Sequence, residues 1–583
     1  MKRILVLALS ALMLWACAKD TVVSPSGDIS VRMDAGAMEI SYRGVPVQTV
    51  RIALGELVSS SKVSRIEESY DMLIGKRLHC TNSANARTFS YEGTDIEVRA
   101  YNDGVAYRFT GLHPDVEYVI PQGRNRWLLR SKADYEALYP LTDGASSGDW
   151  LYPALLEYGE GVFGLLTESG VYRGQCGSFL RSADGDENYR LVPADLTFPE
   201  GTSPWRLVIL GELSDIVEST LVTDVAEPCR LEDTSWIKPG VSAWIYWSSN
   251  HGSNDFAQVK DFIDLADEMG WPYNLIDAEW DVMTNGGTIE DAVAYANEKG
   301  IRTNVWYNSG TSWIGQGAPG PLFLMLDPKV REAEMTRIEN MGVTGVKIDF
   351  FKDDGSESIA YYMDLLEDAA RHHLLVDFHG CTLPRGWERT YPNLMSMEAV
   401  FGAEWYNNVP FYTPLAAAHN ATLPFTRNVV GPMDYTPGTF SDSQHPHITT
   451  WGHELALTVL FESGLQHMPD RPSIYYGFEK QVKDLLSNLP NTWDDTRLLS
   501  GYPGDHVVIA RRKGDRWYVA GINGTENSGE LVFDLSELGL SGCRATFFVD
   551  SEDGDSIEVC TSEELFHSLE CLPRGGFLAV VEQ

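Results

Sequence analysis

Val241-Ser-Ala-Trp-Ile-Tyr-Trp247 is followed by a stretch that carries Phe256, Val259, Phe262, Ile263, Leu265 and Ala266 at helical spacing. The apolar run reads as a buried strand and the next segment as an amphipathic helix packed on it. The couplet recurs. Tyr273-Asn-Leu-Ile-Asp277 precedes Ile289 to Glu298, Thr303-Asn-Val-Trp306 precedes Val330 to Met341, and Gly345-Val-Lys-Ile-Asp349 precedes Ile359 to Ala370. Leu374-Leu-Val-Asp-Phe378 and Leu394-Met-Ser-Met-Glu398 follow. Strand and helix alternating at ~30 residues, six or more times in ~250, predict a central (β/α)8 TIM barrel over 236–490. An open doubly wound sheet is the alternative, and no Gly-rich phosphate fingerprint supports it.

On either side the period changes to two. Ile40-Ser-Tyr-Arg-Gly-Val-Pro-Val47, Ile96-Glu-Val-Arg-Ala-Tyr101 and Val105-Ala-Tyr-Arg-Phe109 alternate between Gly, Asp and Asn punctuation, which predicts an N-terminal β-sandwich over 23–235. Val507-Val-Ile-Ala-Arg-Arg512, Arg516-Trp-Tyr-Val-Ala-Gly-Ile-Asn523, Leu531-Val-Phe-Asp-Leu535 and Gly576-Phe-Leu-Ala-Val-Val581 predict a C-terminal β-sandwich over 491–583.

Residues 1–22 read as a lipoprotein signal and tether. Lys2 and Arg3 form a positive start, Ile4 to Trp15 an apolar run, and Leu14-Trp15-Ala16-Cys17 resembles a bacterial lipobox that leaves Cys17 to carry acyl chains. An ordinary secretory signal is the alternative. The expected location is the bacterial cell envelope, in the periplasm or on the outer-membrane surface, with membrane contact through the lipid anchor only. Seven further cysteines lack zinc-like spacing, and a Cys560 to Cys571 bridge is an open possibility. With 45 Lys and Arg against 83 Asp and Glu, the formal charge is −38, which repels nucleic acid and anionic membranes. Neutral sugars suit a chain with 16 Trp and 26 Tyr, because flat apolar sugar faces stack on aromatic rings. The oligomeric state is not legible.

Active sites of such barrels lie at the C-terminal strand tips, so the polar residue closing each apolar run is a candidate. These are Asp277 and Glu279, Asn308, Asp349, Asp377 and His379, then Glu398 and Glu404. Lys347 points the same way as Asp349, two residues on. The pair is either a salt bridge inside the barrel or a nucleophilic carboxylate kept ionised by an ammonium. Asp277 and Glu279 either grip sugar hydroxyls or bond barrel backbone. His379 either supports a neighbouring side chain or touches substrate, and Trp306 is one of several tryptophans placed to stack on a sugar.

Asp377-Phe-His-Gly-Cys381, Trp387-Glu-Arg-Thr-Tyr-Pro-Asn393 and Ser396-Met-Glu-Ala-Val-Phe-Gly-Ala-Glu-Trp-Tyr406 together resemble glycoside hydrolase family 97. Thr234-Ser-Trp-Ile-Lys-Pro-Gly240, Val346-Lys-Ile-Asp-Phe-Phe351 and Trp493-Asp-Asp-Thr-Arg497 extend the likeness over essentially the whole chain after the signal. The resemblance implies a β-sandwich, a catalytic (β/α)8 barrel and a second β-sandwich. It also implies a mechanism. Inverting members carry base glutamates on the third and fifth strands, whereas retaining members carry an aspartate nucleophile ending the fourth, the place of Asp349. Gly380 stands after His379 where the inverting pattern has glutamate. By the same resemblance Glu404 is the acid/base, Glu398 a calcium ligand, and Glu168 a further ligand given by the N-terminal domain, with Glu404 also at the ion.

The expectation is therefore a retaining exo-acting α-glycosidase that takes α-galactosides as its oligosaccharide substrate and uses Ca2+. Three carboxylates crowded together repel one another without a cation. An α-glucosidase of the same family and a non-catalytic, lipid-anchored glycan-binding protein are the alternatives.

Overall fold

A computed structural model describes residues 20–582 apart from positions 35, 121–123, 143–145, 250, 410, 443–444 and 447. The signal-like segment, Cys17 included, lies outside the described residues. The N-terminal β-sandwich is built from a branched 17-stranded sheet that runs from Thr21–Val23 to Trp205–Gly211. The period-two pattern shows in its longest strand, His79–Tyr91, where Cys80, Ala84, Ala86, Phe89 and Tyr91 are buried while His79 and Thr81 face water.

The centre is a parallel barrel. Its first six strands are Gly240–Ile245, Tyr273–Ile276, Arg302–Asn308, Val343–Asp349, Leu375–Phe378 and Leu394–Met397, each paired to the next in turn. A last strand, Leu465–Met468, pairs with the first. Each couplet folds for reasons visible in its residues. In the helix Phe256–Met269, Asp255 caps the N-terminus by accepting from Ala257 N and Gln258 N, and Gly270 ends it in the left-handed conformation at φ 67°. Such a cap contributes about 1 kcal/mol. Val259, Phe262, Ile263, Leu265, Ala266 and Met269 form the buried stripe.

Among the described residues the barrel ladder has seven strands rather than the eight expected. The gap between the sixth and last strands is filled by an irregular segment in which Met433 N donates to Glu462 O and Asp434 N to Met397 O. Gly431-Pro432 opens that segment, and a proline has no N–H to give to a ladder.

The C-terminal β-sandwich pairs a six-stranded antiparallel sheet with the hairpin-like pair Gly529–Asp534 and Phe566–Cys571. Its own core holds Val508, Trp517, Phe533, Phe547 and Phe577. The barrel helix Trp451–Leu460 lies so close to this sheet that a Cβ on Gly452 would collide with Gly576 O. All seven described cysteines are free thiols, so Cys560 and Cys571 form no bridge.

Candidate active site

The barrel tips and one loop of the N-terminal domain enclose a cavity of about 590 Å³. Asp277, Trp306, Lys347, Asp349, Glu398 and Glu404 all line it, joined by Lys132, Asp134 and Glu136 from the N-terminal domain. Tyr246, His251, Trp313, Phe350 and Trp405 add aromatic wall.

Asp349 closes the fourth strand, in register with Asn308 at the end of the third. Its Oδ1 accepts from Phe350 N at 2.7 Å and its Oδ2 from Trp306 Nε1 at 3.2 Å, so the carboxylate is held at a fixed angle. Lys347 makes its direct ion pair elsewhere. Its Nζ donates to Asp277 Oδ2 at 2.9 Å, and that oxygen also accepts from Trp244 Nε1 at 2.8 Å. Breaking a buried pair of this kind costs about 3–5 kcal/mol. The expected Lys347–Asp349 salt bridge is therefore corrected: the ammonium pairs with Asp277. Its positive charge still acts on Asp349, favouring the ionised form.

The two carboxyls nearest the chemistry both hold their protons more tightly than free ones. Burial pushes Asp349 up to about 7, with His379 and Lys347 opposing and Glu398 adding to the rise. Burial pushes Glu404 up to about 8, and the charges of Glu398 and Asp349 add to it. Both carboxyls therefore keep their protons to higher pH than free ones, while Lys347 and His379 favour ionisation of each. Glu398 behaves oppositely. Although burial works against its charge, the His379 imidazolium and the Gly380 N–H, which donates at 2.8 Å, hold it below the usual carboxylate range.

Glu136, Glu398 and Glu404 each offer an oxygen, all within 4.8 Å of one another. Burial raises the Glu136 carboxyl well above its ordinary range, and Glu398 adds to that. Glu168 is not part of this cluster, which corrects the expectation from the family resemblance. Its carboxylate accepts from Arg385 Nε at 2.8 Å, from Arg206 Nη1, and from the Ser178 hydroxyl at 2.6 Å. Two guanidiniums already satisfy it, so it has no use for a metal ion. It ties the N-terminal sheet to the barrel, and Glu136 supplies the domain's carboxylate to the cavity.

Two other expectations are also revised. His379 does not line the cavity. It sits behind Glu398, with Nδ1 3.3 Å from Glu398 Oε2 and Nε2 2.7 Å from Asp434 Oδ2. Glu279 is turned away, accepting from Asn254 Nδ2 at 3.2 Å while its own N–H donates to Gly320 O at 2.8 Å. Sequence reading missed Glu136, Lys132, Asp134 and Trp313. Only the alternating charges of Lys132-Ala-Asp-Tyr-Glu136 hint at a polar loop, and nothing there says which domain it faces.

Two carboxyls at barrel tips, facing one cavity, equip a site to cleave a glycosidic bond by acid and nucleophile, the chemistry of a glycoside hydrolase. Comparison with known proteins makes the assignment particular. The family model described as Glycoside hydrolase 97 matches residues 236–400, flanked by matches to Glycosyl-hydrolase 97 N-terminal at 22–228 and to Glycosyl-hydrolase 97 C-terminal, oligomerisation, at 492–582. The chain belongs to glycoside hydrolase family 97. It is 32% identical to a probable retaining alpha-galactosidase of Streptomyces bingchenggensis (strain BCW-1), over 91% of this chain and 85% of that protein. It is 27% identical to a retaining alpha-galactosidase of Bacteroides thetaiotaomicron, over 94% of this chain and 93% of that one. The crystal structure of a beta-arabinopyranosidase superposes with a TM-score of 0.88 at 27% identity, covering 96% of this chain and 99% of its own. A family 97 enzyme from Pseudoalteromonas sp. strain K8, in complex with acarbose, shares the fold with a TM-score of 0.84 at 20% identity, covering 96% of this chain and 99% of its own.

Proposed function

We propose that this glycoside hydrolase is a retaining, exo-acting α-glycosidase with α-galactosides as preferred substrates. One contact carries the mechanism. A Cβ on Gly380 would lie 2.8 Å from Asp349 Oδ1 and 2.9 Å from Phe350 N, at a φ of 47° that disfavours any side chain. The position that holds a water-activating glutamate in inverting relatives is therefore closed to one while Asp349 stands beside it. Asp349 then attacks the anomeric carbon as Glu404 protonates the departing oxygen. In the second step Glu404 takes a proton from water, which displaces Asp349 and restores the original anomeric configuration. The names of the two α-galactosidase relatives support the galactoside. The beta-arabinopyranosidase likeness favours a second reading, since β-L-arabinopyranosides present the same ring stereochemistry without the hydroxymethyl group. Rates on the 4-nitrophenyl glycosides of both sugars and of α-glucose separate the readings, and a glycan-binding protein releases no nitrophenol from any. Proton NMR in the first minutes of hydrolysis is expected to show the α-anomer of galactose. First appearance of the β-anomer overturns the retaining mechanism.

The cluster of Glu136, Glu398 and Glu404 fits Ca2+, a hard cation that takes carboxylate oxygens in flexible geometry. Calcium there supplies neutralising charge between three carboxylates from two domains. Chelation is expected to lower the rate and the thermal midpoint together, with Ca2+ restoring both better than Mg2+. Full activity in a preparation shown metal-free by elemental analysis removes calcium from the mechanism. The lipobox-like Leu14 to Cys17 supports attachment to the cell envelope by acyl chains on Cys17. Incorporation of an alkynyl fatty acid, lost on Cys17→Ala, is the expected result, and no incorporation refutes the anchor.

A further inference from the structure

We propose that Trp313 is the leaving-group platform of the site. Its indole face receives the sugar or aryl group that departs from the anomeric carbon, and so determines which aglycones are taken. This rests on the glycosidase reading above.

Depth separates Trp313 from the reacting groups. The reacting Asp349 and Glu404 are half-buried, above a floor that includes Asp277 and Trp306 at 1% exposure each, whereas Trp313 lines the same cavity at 51% exposure. In an exo-acting pocket the sugar that reacts sits at the bottom and the group beyond the scissile bond points to the rim. A large indole at that rim, half in water, forgoes burial that a Trp ordinarily gains, and a flat sugar or aryl face supplies it on binding.

The side chain is also held in place rather than trailing from a loose loop. Residues 309–327 join the third strand to its helix, a length that in compact domains usually serves function. The loop is pinned to the backbone of the nucleophile segment: Ser309 N donates to Asp349 O at 2.8 Å and Ser312 N to Phe350 O at 3.0 Å. The buried Asn308 Nδ2 donates to Trp313 O at 3.2 Å. The Trp313 ring meets Phe350, the residue after Asp349, edge to face at 5.0 Å and 75°. Trp313 takes a φ of 23°, a conformation L-residues avoid and which the surrounding bonds maintain. The platform is thus positioned relative to Asp349 before substrate arrives, so little side-chain entropy is lost on stacking.

The test compares wild type, Trp313→Ala and Trp313→Phe on three α-galactosides: the fluoride, whose leaving group is one atom, the 4-nitrophenyl glycoside, and melibiose. Trp313→Ala is expected to lose about tenfold in kcat/KM on the aryl glycoside and on melibiose, chiefly through KM, as befits one lost stacking contact. Hydrolysis of the fluoride stays unchanged, which also reports that the variant is folded, and Trp313→Phe recovers most of the loss. Ile314→Ala, on the same loop and 46% exposed, leaves all three rates unchanged. Equal losses on all three substrates with either Trp313 variant assign the residue to the reacting sugar or to the fold and overturn the platform, as does no loss on any. Inactivity of the wild type on all three overturns the α-galactoside reading and not the platform, which the same three leaving groups on β-L-arabinose then test.

Discussion

Asp349→Gly is expected to give a protein that still binds galactosides and turns them over roughly 10^4- to 10^6-fold more slowly, the scale seen when a covalent nucleophile is removed. The fold should survive, because Asp349 is at a strand tip and, among the described residues, its carboxylate accepts hydrogen bonds from Phe350 N and Trp306 Nε1 alone. Those two donors are what make the variant informative. Freed of the carboxylate, they face the space it occupied and are suited to hold a small anion there. Azide entering that space attacks the anomeric carbon from the nucleophile's side while Glu404 still protonates the leaving oxygen, so turnover returns and the product is the β-galactosyl azide. Nothing removes that azide from the sugar afterwards, and the net result is inversion. Product configuration by NMR and the rate with and without azide check it. Substantial hydrolysis of an activated aryl galactoside without azide overturns the nucleophile assignment.

The barrel was readable because its strands are short apolar runs followed by helices with a buried stripe, and because tip residues follow each run directly. That reading reached Asp277, Asp349, Glu398 and Glu404, all found on one cavity. It overshot by one strand where Pro432 interrupts the ladder. The metal-ligand assignment failed at Glu168 for a reason no linear pattern reveals: its cross-strand partner is Arg206, and Arg385 reaches it from another domain. Glu136 was missed for the converse reason. It stands in a loop whose partners, Glu398 and Glu404, follow more than two hundred residues later, and only domain docking joins them. Glu279 and His379 show a further limit. The residue after a strand tip is near the cavity by sequence, but whether it faces inward depends on the local backbone, left-handed at Glu279 with a φ of 72°.

Glu404→Gln is expected to separate substrates by how much their leaving group needs a proton. For melibiose the loss should reach about 10^2- to 10^4-fold, the usual contribution of a general acid. For 4-nitrophenyl galactoside, whose leaving group departs as an anion, bond cleavage slows far less, and the missing base now limits release of the galactosyl intermediate. Azide needs no base, so it accelerates this variant too. It attacks from the face that water uses, and the product is the α-galactosyl azide, opposite in configuration to that from Asp349→Gly. The pH profile supplies an independent reading. Asp349, raised to about 7, must be ionised to attack, so the rate falls as pH drops through its pKa. Glu404, which burial raises and a bound cation would lower, must be protonated to donate, so the rate on melibiose falls as pH climbs through its own. Glu404→Gln should erase that alkaline limb and leave the acid limb where it is. If both substrates slow equally and the limb persists, Glu404 serves only to hold the cation. Asp277 is then an unsuitable substitute, because Lys347 keeps it paired, and Glu279 faces away. The acid would be Glu136, which lines the cavity with a carboxyl that burial and Glu398 push well above the ordinary range.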